Sequence, residues 1–206
     1  MVQIGRNNHI PRWAPGSVLS YVVCHETFPS LQHAAYASWG LVQGIALWRG
    51  AGVPFHHVTR DWPATFRVVY LDEPPTPSYT AIARSFYPSN EPPANRTLYV
   101  FGRAFEPAHV NSMASLMAHE LGHIMGLRHE LNVPGEELVE DWSATWMNPN
   151  PRSIMVRSGV LRPPWTVQPS DVVGVRTFYA APIVEIEGRQ LVDFVPINSV
   201  YQAFSL

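Results

Sequence analysis

The chain has 206 residues, 46% of them hydrophobic and 15% charged, enough apolar length to bury one core of ordinary domain size. Its formal charge of -2 leaves no basic excess to neutralise phosphates, so an electrostatic nucleic-acid binder is excluded. No apolar run reaches the roughly 18 to 20 residues of a membrane span, the opening MVQIGRNNHIPRW lacks the apolar centre of a signal peptide, and a single cysteine, Cys24, excludes internal disulfides.

GSVLSYVV reads as a first strand, and Cys24 just after it as a buried thiol without a role. PSLQHAAYASWGLVQGIALWRGAG has apolar residues at Leu31, Ala35, Trp39, Val42 and Ala46. This spacing predicts a long amphipathic helix, stopped by Gly50 and Gly52. FHHVT, TFRVVYL, TAIARSFYP and TLYVFGRAF follow as short strands between turn-forming residues. A second helix is expected from Asn111 or Ser112, either of which can cap it, through MASLMAHELGHIMG, with Met113, Leu116, Met117 and Ile124 as its core face. From Leu131 the prolines and tryptophans predict irregular chain up to PSDVVGVRTFY, a third helix capped by Ser170. PIVEIEGRQLVDFVP predicts a hairpin turning at Glu187 and Gly188.

These elements imply an α+β fold: a twisted mixed sheet with a backing helix and an active-site helix, then a mostly irregular C-terminal part with a final helix. One domain is expected over residues 1–180, divided near residue 126, with a hairpin extension over 181–206. All 14 basic side chains are arginine, a bias that leaves coding composition and escape from lysine-directed chemistry both open. The sequon NRT at Asn95 matters only in a eukaryotic secretory route.

The chemistry is concentrated in HELGHIMGLRHE, residues 119–130. On a helix His119 and His123 share one face and can present two imidazoles to one ion. Glu120, beside the first of them, can reach a water at the ion without ligating it, as a general base must. Gly126 can adopt the left-handed conformation that ends the helix and returns His129 toward the ion. Three neutral imidazoles with one open position describe a catalytic zinc; a structural zinc is usually closed by four protein ligands. Drawn at random from this composition, the offsets would recur in roughly 5 chains in 100,000. The other six histidines read as surface or satisfied core residues.

With these residues the chain resembles the metzincins, zinc endopeptidases marked by H-E-x-x-H-x-x-G-x-x-H and a methionine turn, the latter matched by SIM with Met155. The resemblance gives Met155 the role of an apolar floor beneath the histidines. The order of RWAPGSVLSYVV, TAIARSFYP and SDVVGVRTFY is similar to matrixins, over residues 12–179. Glu130 after the third histidine is similar to astacins instead, but Arg157 stands where astacins have tyrosine. The disulfides of astacins, the structural metal clusters of matrixins and their Pro-Arg-Cys-Gly latency segment have no counterpart here.

The resemblance implies one zinc ion, Zn(2+), and a protein or peptide substrate. Glu120 would take a proton from water whose pKa zinc lowers toward about 7. The substrate would pair with an edge strand at residues 81–86, involving Ala81, Ile82, Ala83 and Arg84. Two readings stand for Arg157: a cleft group that holds the oxyanion or selects an acidic side chain, or a solvent-facing partner of Glu136, Glu137 or Glu140. A monomer is expected, either secreted after loss of a leader or pro-segment, or cytoplasmic. Two other functions fit the same motif: a binding module that zinc merely stabilises, and a zinc hydrolase acting on a non-peptide amide or ester.

Overall fold

Five consecutive buried residues, Leu19–Val23, form β3, and such an unbroken buried run suits a strand with parallel neighbours on both sides. The computed structural model describes all residues except 4, 6, 73–80, 131–142, 157–164, 181, 183, 197 and 199–206. Two strands precede β3, β1 (Val2–Gln3) and β2 (Ile10–Trp13); then come α1 (Leu31–Leu47), β4 (Phe55–His57), β5 (Phe66–Leu71), β6 (Ala83–Arg84) and β7 (Thr97–Phe101). The main sheet has the order β4-β3-β5-β7-β6, parallel throughout except for β6, which lies antiparallel to β7 at one edge. The helix α1 supplies the crossover that the parallel pair β3 and β4 requires. Cys24 is fully buried after β3, and burial raises its thiol pKa.

The burial of α1 corrects the expected apolar stripe. Leu31, Trp39 and Val42 are 79%, 50% and 52% exposed, and Ala35 and Ala46 are exposed as well. The buried face is Ala34, Ala37, Gly40, Leu41 and Gly44. Small residues face inward because α1 packs tightly on α2 (Met113–Ile124): a Cβ on Gly44 would stand 2.9 Å from Ala118 N and 3.1 Å from Ala114 O. Close approach, rather than side-chain hydrophobicity, selected this face.

The second helix is more buried than one apolar face requires. Met113 and every residue from Leu116 to Ile124 are inside. Its expected side-chain cap is absent: Ser112 makes no capping bond, and Asn111 lies within the 3-10 turn Val110–Ser112. Three aromatic donors hold carbonyls of this helix and its end. Trp48 Nε1 donates to Ala118 O and Trp13 Nε1 to Ile124 O, both at 2.8 Å, and the Tyr179 hydroxyl donates to Met125 O at 3.0 Å.

After β8 (Ser143–Ala144), which pairs with β1, the chain enters α3 (Pro169–Ala180). Ser170 lies inside this helix and does not cap it. Proline occupies the first position, and Asp171 Oδ2 reaches back to accept the Gln168 N–H at 2.8 Å, half of a capping box. The hairpin forms as expected from β9 (Glu185–Ile186) and β10 (Arg189–Phe194), with positive φ at Glu187 and Gly188 as a primed turn demands. Its further pairing was not legible in the sequence: β10 runs parallel to β2, with Phe194 opposite Trp13. Buried Arg12 locks the pair through Asp193, at 2.7 Å from Nε and 3.1 Å from Nη2.

Gly44→Ala tests the helix contact, because two effects of opposite sign compete there. Alanine favours helix by about 1 kcal/mol, whereas overpacking against backbone costs about 1 to 3 kcal/mol. The clash should win and lower the melting temperature by about 2 to 4 °C. Val42→Ser on the exposed face should change stability by no more than about 0.5 kcal/mol. Thermal denaturation of both variants checks which face is packed.

Candidate metal centre

The helix α2 ends where the site begins. Gly126 has φ +95°, its N–H donates to His123 O at 2.8 Å, and the Leu127 N–H donates to Gly122 O at 2.9 Å. These two bonds are a Schellman turn, open to glycine because it has no Cβ penalty in the left-handed region. The turn sends the chain back, and His129 joins His119 and His123, with ligand atoms all within 4.8 Å of one another. His119 Nε2 lies 3.2 Å from both His123 Nε2 and His129 Nε2.

The other ring nitrogens fix the tautomers. His119 Nδ1 donates to Ile154 O at 2.7 Å and His123 Nδ1 to Leu127 O at 2.8 Å, because a carbonyl only accepts. Each Nε2 therefore keeps its lone pair for the cluster, and carbonyl partners at Nδ1 are what metal-ligating histidines usually have. Burial lowers the His119 pKa to about 4, helped by the neighbouring His129 ring, and holds His123 well below its ordinary value. Both rings are thus neutral, the metal-binding form, at neutral pH. A tetrahedral zinc with bonds of about 2.0 to 2.1 Å sets its nitrogens about 3.3 Å apart, so the 3.2 Å separations fit such an ion.

Glu120 is 4% exposed, and its Oε2 has no hydrogen-bond partner among the described residues. Burial pushes its carboxyl up to about 7, against the lowering effect of Ser85. The Ser85 hydroxyl, just after β6, donates to Glu120 O at 3.1 Å and so joins the sheet edge to the active-site helix.

Behind the histidines lies a support that the sequence reading missed. Asp171 Oδ2 accepts the Ile154 N–H at 3.0 Å, and Ile154 O accepts from both His119 and Trp165 Nε1. The Trp165 ring is 5.4 Å from that of His119. Met155 is buried against the helix: a Cβ on Gly122 would fall 2.3 Å from its Sδ. Glu130 does not join the histidine cluster. Its N–H donates to Met155 O at 2.9 Å and its carboxylate accepts the Asn150 N–H, which ties the chain after His129 to the loop before Met155.

The expected edge strand over residues 81–86 shortens to β6, and its residues differ in direction. The Phe101 N–H donates to Ile82 O at 3.1 Å, and Ala83 is paired with Val100. Ile82 thus turns its backbone polar groups toward β7, while Ala83 turns its own away from the sheet. Arg84 lies over the Tyr99 ring at 5.2 Å. Tyr87, which the sequence did not single out, sits 5.4 Å from the His123 ring and accepts from Arg128 Nη1 at 3.1 Å. Arg157, Glu136, Glu137 and Glu140 lie outside the described residues.

Glu120→Gln isolates the effect of the buried acid in metal-free protein. The folded-state pKa of about 7 exceeds the ordinary carboxyl value of 4.5, so ionising Glu120 opposes folding increasingly as pH rises through that window. The amide should therefore stabilise the metal-free protein by up to about 3 kcal/mol at pH 8 and by almost nothing near pH 4.5. Denaturant titrations at the two pH values measure the difference.

No family model and no curated protein sequence matches this chain. Among solved structures, that of myroilysin superposes with a TM-score of 0.59 at 15% identity, over 89% of this chain and 100% of that one. At that identity the likeness establishes the fold alone. The chain therefore has an α+β fold similar to that of myroilysin, with three histidines gathered at the end of its most buried described helix.

Proposed function

We propose that the protein is a zinc-dependent endopeptidase of metzincin type. The observation that carries this reading is the convergence of three imidazole Nε2 atoms, with buried Glu120 next in the chain to the first of them. His119, His123 and His129 would hold the ion, which when bound supplies a Lewis acid and a water of lowered pKa. Glu120 removes the proton from the attacking water and returns it to the leaving amine. Its low exposure keeps bulk water from competing for that proton, and Ser85 holds its backbone against the sheet edge. Met155, packed on Gly122, supports the helix turn that carries the two histidines.

Two features favour a peptide over other amides or esters, and catalysis over a purely structural ion. Ala83 offers an outward N–H and C=O at the sheet edge next to Glu120, the groups an extended peptide needs for strand addition. Three histidines form the cluster among the described residues, and a structural zinc would normally take a fourth protein ligand.

A peptide-library digest with and without a chelator distinguishes these functions. Cleavage that disappears with chelation and returns with zinc is the expected result; cleavage of esters or acylated amines but no peptide would reject the reading. Glu120→Ala should bind one zinc per chain, by metal analysis, while turnover falls at least about a hundredfold. Ala83→Pro should raise KM about tenfold with zinc content unchanged, since one outward donor is lost. An unchanged KM in that variant would remove β6 from substrate binding.

A further inference from the structure

A cavity of about 540 Å3 opens beside the metal centre, and three distant stretches of chain wall it. The segment before β2 forms one side, residues 86–96 following β6 form another, and Phe194 at the end of β10 forms the third. Tyr87 belongs both to this wall and to the metal centre, through its contact with the His123 ring. Tyr87 thus links the wall of the cavity to the metal centre.

Its lining is aromatic and amide in character. Phe86, Tyr87 and Phe194 supply rings, and His9 meets Phe194 edge-on at 5.8 Å. Asn7 and Asn90 offer amides suited to a peptide backbone. The charged groups of the lining are engaged with the wall itself. Asn95 Nδ2 donates to Glu91 Oε2 at 2.7 Å, Arg96 Nη2 donates to Glu91 O at 3.0 Å, and the Arg96 guanidinium lies over Trp13, with the residue 1% exposed. A cavity of this size, rings inside and amides around them, fits an uncharged aromatic side chain together with the backbone that bears it.

Direction follows from strand pairing. A peptide antiparallel to β6 runs opposite to the path from Ala83 to Pro88, so residues preceding the cleaved bond reach the cavity. We propose that this cavity is a specificity pocket for an aromatic side chain on that side of the substrate, and that Phe194 of the C-terminal hairpin is one of its determinants. The proposal rests on the peptidase reading for its substrate class. It gives the hairpin a recognition role, because the parallel pairing of β10 with β2 is what brings Phe194 to the wall.

Matched peptides with Phe or Ala at each of the three positions before the cut test this, with wild type, Phe194→Ala and Asn90→Trp. Asn90 is exposed at the rim, so tryptophan there fills the opening without entering the core. The wild type should favour a Phe peptide by about tenfold in kcat/KM, and each variant should reduce that preference to about twofold or less. The same peptides are titrated against the zinc-loaded Glu120→Ala forms of all three proteins. If the wild type cleaves nothing, the peptidase reading fails, while the ratio of affinities for Phe and Ala peptides still judges the pocket. Equal affinity for the two in the wild-type pocket, a preference for charged side chains, or a Phe preference unchanged in both variants overturns the proposal.

Discussion

Three imidazole rings converge with nitrogens as close as 3.2 Å, and much of this fold is arranged around holding them in that position. Two of the rings are oriented from behind, by Ile154 O and Leu127 O, so that neither can escape by exchanging its tautomer. The third arrives because a single glycine turns the chain by a Schellman motif, whose Leu127 carbonyl also fixes His123. The turn and the ligand geometry are therefore one interaction, seen from two sides.

Burying that arrangement is costly unless its polar groups are satisfied. A helix end leaves carbonyls without intrahelical partners, and inside a protein each must find another donor. Trp13 and Tyr179 provide them for Ile124 and Met125, from strand and helix far apart in sequence. His119 and His123 enter the interior in neutral form, which avoids burying charge. Glu120 can avoid burying charge only by keeping its proton, and burial pushes its carboxyl up to about 7; one of its oxygens lacks a partner among the described residues, the kind of local cost that functional sites retain.

The sheet contributes by its edge. Because β6 runs antiparallel to β7 and is last in the strand order among the described residues, Ala83 presents its backbone at the sheet edge close to α2. The helix α1 approaches α2 closely because its inner face is mostly alanine and glycine. Together these contacts hold the helix against a tight helical neighbour and the end strand of the sheet.

The sequence alone determined the local chemistry. The spacing of His119, Glu120, His123, Gly126 and His129 dictates which side chains share a helical face and where the helix must break, and both are properties of a few neighbouring residues. The hairpin turn at Glu187 and Gly188 was legible for the same reason, since only certain residues adopt positive φ at that bend. The inner face of α1 was not legible, because a hydrophobic pattern marks large residues whereas the partner helix demanded small ones. Nor were Asp171, Ile154 and Trp165 visible as the support of His119, or Phe194 as a neighbour of the cleft. Their roles depend on contacts between segments remote in sequence, and only the packed chain brings those segments together.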